Sequence, residues 1–161
     1  MVIVVLGPMG CGKTTIGTLL AEKVGWKFAD ADDYHPEANK IKMKRGIPLD
    51  DSDREPWLEI LKNLIDDHLH KGAGLVLACS ALKEKYRNLL GIDNKDVHSV
   101  FLKGSLPLLE QRLKARSHEY MSNTLLQSQL DTLEEPQSGC VMDIDDSPEG
   151  LCQKIIKELL S

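Results

Sequence analysis

Eight consecutive residues concentrate the chemistry of the chain: Gly7-Pro8-Met9-Gly10-Cys11-Gly12-Lys13-Thr14. Three glycines, a lysine and a hydroxyl at the spacing G-x-x-x-x-G-K-[ST] suit the holding of phosphate groups. Glycine lets backbone N–H groups converge on phosphate oxygens where a side chain would intrude. Lys13 supplies a point charge for the β- and γ-phosphates, and Thr14 a hydroxyl for Mg²⁺. A second set is Asp30-Ala31-Asp32-Asp33. Phosphoryl transfer needs a carboxylate to position the acceptor hydroxyl and take its proton, and the metal needs a further anion. On an extended segment Asp30 and Asp32 serve these two tasks, and Asp33 points elsewhere. Taken alone, three acids in four residues are as readily a solvated turn or a cap.

Cations form the third set. Lys83 and Arg87 are four apart and share a face if their segment is helical. With Arg54 they suit a small anionic acceptor, because a guanidinium matches a carboxylate bidentately. The plain alternative is an exposed basic stripe, with Arg54 capping Asp50 or Asp51. Arg112 and Arg116 are one turn apart and precede the polar run Ser117-His118-Glu119-Tyr120-Met121-Ser122. That run suits a lid that excludes water from a transferring phosphate.

These residues must be positioned by alternating strands and helices. The apolar run Val2 to Leu6 reads as a strand before the glycine loop, and Ile16 to Val24 as a helix after it. A short strand, Trp26 to Ala29, precedes the acids. Glu37 to Lys44 reads as a helix closed by Gly46. Asp51 or Ser52 is expected to cap a longer helix with Pro56 in its first turn. Trp57, Leu58, Ile60, Leu61, Leu64, Ile65 and Leu69 give it one apolar face, and Gly72 and Gly74 end it. Leu75 to Cys79 is a continuous apolar run, expected of a central parallel strand. Ser80 to Arg87 is expected to open the next helix, which ends near Gly91. Val97 to Leu102 and Cys140 to Ile144 complete the strands. Helices are expected from about Pro107 to Arg116, from Thr124 to Leu133, and from Pro148 onward. Five strands alternating with helices predict an α/β fold of three layers, a parallel sheet covered on both faces, with ligands beyond the carboxyl ends of the strands.

At 161 residues the chain fits one domain, and 28% charged residues beside 42% hydrophobic ones fit a soluble globular class. A net charge of −5 argues against a broad nucleic-acid or anionic-membrane surface. The apolar start is too short for a signal peptide or a membrane span, which places the protein in the cytoplasm. Cys11, Cys79, Cys140 and Cys152 form no C-x-x-C pair and read as reduced, mostly buried thiols rather than a disulfide or zinc framework. Cys11, near a helix N-terminus, is either a reactive thiol or a small residue that fits the loop, the second being preferred. His68 and His70 face different directions on a helix and are both expected in solvent. Trp26 and Trp57 are expected in the core.

The chain resembles the gluconokinases, small P-loop kinases grouped with shikimate and adenylate kinases. The resemblance runs nearly end to end. It is carried by Trp26 to Pro36, by Lys42-Met43 and Gly46 to Leu58, by Ala78 to Arg87, by Leu102-Lys103-Gly104, by Arg112 to Arg116 and by Leu126 to Pro136. It implies a three-layer P-loop kinase fold with a five-stranded parallel sheet, a single domain over 1–161 and a small lid at about 117–123. It implies phosphorylation of D-gluconate by ATP with Mg²⁺, and a homodimer. ATP would be held by Gly7, Pro8, Met9, Gly10, Cys11, Gly12, Lys13, Thr14 and Thr15, with Arg112 and Arg116 as lid arginines. Lys13 and Asp32 would be catalytic, Asp32, Arg54, Lys83 and Arg87 would contact the sugar acid, and Thr14 and Asp30 would serve the metal. The chain departs from the family in its loop, which is closer to that of shikimate kinases, in Asp50 where Asn is usual, and in Ser117-His118-Glu119-Tyr120 where a Gly-His-Phe run is usual. Two other readings are a shikimate-type kinase, against which Cys79-Ser80-Ala81 stands in place of a glycine cluster, and an ATP-binding module without transfer, which would need no acidic pair.

Overall fold

The computed structural model describes residues 1–115 and 123–161. Arg116 and the expected lid, save Asn123, lie outside the described residues. The elements in order are β1 (Val2–Leu6), α1 (Lys13–Val24), β2 (Lys27–Asp30), a 3-10 turn (Ala31–Tyr34), α2 (Glu37–Lys44), α3 (Asp51–Lys71), β3 (Leu75–Cys79), α4 (Glu84–Leu89), β4 (Val97–Lys103), α5 (Leu106–Ala115), α6 (Asn123–Thr132), β5 (Cys140–Asp143) and α7 (Pro148–Leu160).

β1 and β3 are apolar and buried at every position, as strands flanked by neighbours and covered on both faces must be. The sheet order is β2-β3-β1-β4-β5, and every pairing is parallel. Leu6 at the end of β1 lies opposite Cys79 of β3 and Phe101 of β4. Alternation along the strands divides the core in two. Ile3, Val5, Val76 and Leu102 pack with Ile16, Leu20, Leu109 and Ile155 on one face. Val2, Val4, Leu6 and Leu77 pack with Trp57, Leu61, Ile65 and Tyr86 on the other. The chain leaves β1 toward β2 on one side and later crosses to β4 on the other, so the reversal of direction, where ligands bind in such sheets, lies at the carboxyl end of β1.

Three expectations need correction. α3 is capped by Asp50, not by Asp51 or Ser52. The Asp50 side chain accepts from the Asp53 N–H at 2.8 Å, and the Asp53 carboxylate accepts from the Asp50 N–H at 3.0 Å. This reciprocal pair outcompetes a cap one residue later, and it leaves Pro56 inside the helix rather than in its first turn. His68 is buried, not solvated. It follows Leu61 and Ile65 on the core-facing side of α3, and its Nδ1 has no hydrogen-bond partner among the described residues. Ser80 to Lys83 is a loop, not the start of a helix: Ala81 has φ 34° and Lys83 is an extended N-cap, so α4 begins at Glu84. The loop is held from across the fold, with Glu134 N–H donating to Leu82 O at 2.7 Å and Glu134 Oε1 accepting from the Glu84 N–H at 2.8 Å.

Candidate active site

The glycine loop joins the central strand to α1. Gly12 is the N-cap of α1, with φ 95° and no side chain to offer its first turn. By contrast, Asp50 and Ser147 cap α3 and α7 with their own oxygens. The first-turn N–H groups of α1 are thus directed at whatever anion the loop holds, with the partial positive charge of the helix end behind them. Gly7 is required for a different reason. A Cβ there would meet Cys11 Sγ at 2.6 Å and Leu102 O at 3.0 Å. Lys13 Nζ folds over the loop, donating to Pro8 O at 3.0 Å and standing 4.0 Å from the buried Cys11 thiol. Burial of Cys11 fits the reading of a small loop residue.

Two distant elements fix the loop's backbone. Gln129 Oε1 of α6 accepts from the Met9 N–H at 2.7 Å. Arg112 of α5 donates to Cys11 O at 3.3 Å and to Ile144 O at 3.1 Å. Gln129 was not singled out from the sequence. Its only signal was its place within the family-like segment Leu126 to Pro136. Arg112 borders a cleft of about 260 Å³ shared with Gly12, Thr15 and Asp146.

A larger cavity, about 550 Å³, opens on the other side of the loop. Met9, Gly10, Lys13 and Thr14 border it, and so do Asp30, Asp32 and Arg54. Thr14 Oγ1 donates to Asp30 Oδ2 at 2.9 Å, which brings together the two residues expected at the metal. A hydroxyl and a carboxylate at the phosphate end fit Mg²⁺, which takes oxygen ligands and few of them from protein. Asp32 does not lie on an extended segment. The other oxygen of Asp30 accepts from the Asp32 N–H at 3.0 Å and caps the 3-10 turn Ala31–Tyr34. The tighter turn replaces strand alternation, so Asp33 borders the cavity as well, contrary to expectation.

The cations divide. Arg54 borders the cavity, its Nη1 donating to the Tyr86 hydroxyl at 3.2 Å and its Cζ 5.5 Å from that ring's centre. Lys83 pairs with Asp51 at 3.0 Å, just outside. Asp51 also accepts from Lys85 and Tyr86, and these three donors hold its carboxyl well below the usual carboxylate range. Arg87 is buried and does not share a helix face with Lys83. It donates to Ala81 O at 2.9 Å and Glu134 O at 2.7 Å, bracing the loop behind the cavity wall. Cys79 lies beneath the same wall, and burial pushes its thiol up to about 12.

A parallel sheet of this order, with a glycine loop and Lys-Thr pair between its central strand and the next helix, defines a P-loop kinase fold. A family model described as "Shikimate kinase" matches residues 9–160. The chain is 46% identical over 153 residues to a probable gluconokinase of Xenopus tropicalis, covering 86% of this chain and 80% of that one. It is 35% identical over 160 residues to the thermoresistant gluconokinase of Escherichia coli (strain K12), covering 97% and 91%. It superposes on the crystal structure of a gluconokinase from Sinorhizobium meliloti 1021 with a TM-score of 0.84 at 36% identity, covering 96% of this chain and 89% of that one. Within the wider shikimate kinase group, the chain belongs to the gluconokinase family.

Proposed function

We infer that this kinase transfers the γ-phosphoryl group of ATP to the 6-hydroxyl of D-gluconate. The observation that carries the reading is that one cavity joins the phosphate-binding end of α1 to Asp32 and Arg54. The bond between the γ-phosphorus and the ADP oxygen breaks, a bond from the gluconate oxygen to phosphorus forms, and the hydroxyl proton passes to the Asp32 carboxylate. Lys13 and the loop N–H groups from Gly7 to Thr15 hold the phosphates, with Arg112 on the nucleotide side and Arg116 added from the lid. Thr14 and Asp30 would hold Mg²⁺, which when bound would supply charge neutralisation for the phosphates. Arg54 receives the sugar-acid carboxylate, Lys83 contributes positive charge at the rim, and Arg87 supports that wall. The chain works as one domain with a lid at about 117–123, as a homodimer in the cytoplasm, without nucleic acid or membrane. No described helix is long and apolar enough to cross a membrane.

A coupled ADP-release assay tests the reading, run with Mg·ATP on D-gluconate, shikimate, AMP and no acceptor. Turnover with gluconate alone is expected. Turnover with shikimate instead would overturn the substrate assignment, and ATP binding without ADP release on any acceptor would overturn the reaction.

The two arginines separate by kinetics. Arg54→Met is expected to raise the gluconate KM about 10- to 100-fold, the worth of a charge-assisted contact, with the ATP KM nearly unchanged. Arg87→Met leaves the Ala81 carbonyl, in a buried contact, and the partly buried Glu134 carbonyl without their donor and is expected to lower stability by about 1–3 kcal/mol, read by urea denaturation, with a smaller change in gluconate KM. A larger KM effect from Arg87 would make it the principal anion contact.

A further inference from the structure

His35 lies on the cavity wall and has no part in the scheme above. It is 7% exposed, and its ring stacks on Trp57 with centres 4.3 Å apart and planes at 15°. Trp57 is itself held, its Nε1–H donating to Ala31 O at 2.7 Å. The ring therefore has little freedom to turn.

Its protonation pattern follows from Asn39, in the first turn of α2 and 3% exposed. Asn39 Nδ2 lies 2.8 Å from Asp53 O, and a backbone carbonyl only accepts, so the nitrogen of that amide faces it. The same nitrogen lies 3.2 Å from His35 Nδ1. An amide nitrogen only donates, so Nδ1 accepts and carries no proton. A neutral imidazole with a bare Nδ1 carries its proton on Nε2. That atom lies 3.9 Å from Asp32 Oδ1. Burial, with Arg54 and Lys40 nearby, lowers the His35 pKa to about 4, which agrees with a neutral ring.

We propose that His35 is a positioning residue for transfer, donating Nε2–H to Asp32 Oδ1 and so orienting the carboxylate that receives the acceptor's proton. A small turn of the exposed Asp32 side chain closes the remaining distance. The proposal rests on the assignment of Asp32 as base. It deepens that assignment by naming the donor that would orient the Asp32 carboxylate rather than that of its neighbour Asp33. Asn39, Trp57 and His35 then form a single bracket: Asn39 fixes the proton, Trp57 the plane, and His35 delivers the donor.

Two measurements test it. Long-range ¹H–¹⁵N spectra of the native protein at pH 7 are expected to show His35 as a neutral ring protonated on Nε2, its signal identified by its loss in His35→Gln. An Nδ1-protonated ring or an imidazolium would overturn the proposal whether or not any variant folds. In kinetics, His35→Phe keeps the stacked ring and is expected to lower kcat about 10- to 100-fold with the ATP KM unchanged. His35→Gln, which keeps a donor, is expected to recover part of the loss. In an Asp32→Asn background, His35→Phe is expected to cost little more, because the group it orients is gone. Native kcat in His35→Phe, or losses that multiply in the double variant, would overturn the proposal. Native turnover in Asp32→Asn would instead overturn the assignment beneath it, and the ring spectrum would stand apart from that failure.

Discussion

Lys13→Ala is expected to abolish measurable transfer while leaving the fold in place. The loop's geometry does not depend on the ammonium. Cys11 and Leu102 leave no room for a side chain at Gly7, the Met9 N–H is held by Gln129, and the Cys11 carbonyl by Arg112. What Lys13 adds is one mobile positive charge above these fixed N–H groups, now resting on Pro8 O at 3.0 Å. On a transferring phosphate that charge would meet the negative charge spread over the oxygens in the transition state, where a preorganised donor does most for the rate. Loss of one such donor costs about 10²–10³ in kcat, and a full charge on a phosphate is expected at or above the upper end. Lys13→Arg should not restore the rate, since a planar fork does not replace a compact ammonium in a tight loop. The check is steady-state kcat on gluconate beside a thermal melt: kcat should fall below about one thousandth of native with the melting temperature unchanged. Substantial turnover in Lys13→Ala would remove Lys13 from the phosphates.

Much of this architecture was legible in the chain because it is local. An unbroken apolar run, a glycine loop and a helical pattern within the first 24 residues leave little choice for β1 and α1. The apolar run Leu75 to Cys79 announces a central strand just as directly. What was not legible depends on contacts between residues far apart in sequence. Ser80-Ala81-Leu82-Lys83 has no helix breaker, yet it forms a loop. Glu134 and Arg87 take up its backbone groups, and Ala81 accepts a left-handed φ in exchange. Arg87 has the spacing of a ligand contact, and no periodicity reports that its guanidinium also donates to the Ala81 and Glu134 carbonyls at 2.9 and 2.7 Å. Gln129 reaches the loop across 120 positions, which no periodicity reports. The acids fall between these cases. Their types were informative and their spacing was misleading, because Asp30 caps the 3-10 turn with one oxygen while the other accepts from Thr14.

That double use of Asp30 sharpens the expectation for its neighbour. With one oxygen on Thr14 at 2.9 Å and the other on the Asp32 N–H at 3.0 Å, Asp30 is committed to Thr14 and to the turn. Asp32 therefore presents its carboxylate from a backbone fixed independently of that carboxylate. Asp32→Asn should keep the turn, the cavity and the ATP affinity, and remove only the capacity to take a proton. A positioned general base contributes about 10²–10⁴ to the rate, so kcat on gluconate is expected to fall by that range with the ATP KM within about threefold of native. Asp33→Asn is the informative companion, because Asp33 borders the same cavity and has the same chemistry. If only electrostatics at the cavity mattered, the two substitutions would cost alike. If orientation matters, Asp32 should cost far more, since it is the carboxylate that faces His35 Nε2 at 3.9 Å. An effect of Asp32→Asn confined to the ATP KM would move Asp32 to the nucleotide side and leave Asp33 as the base.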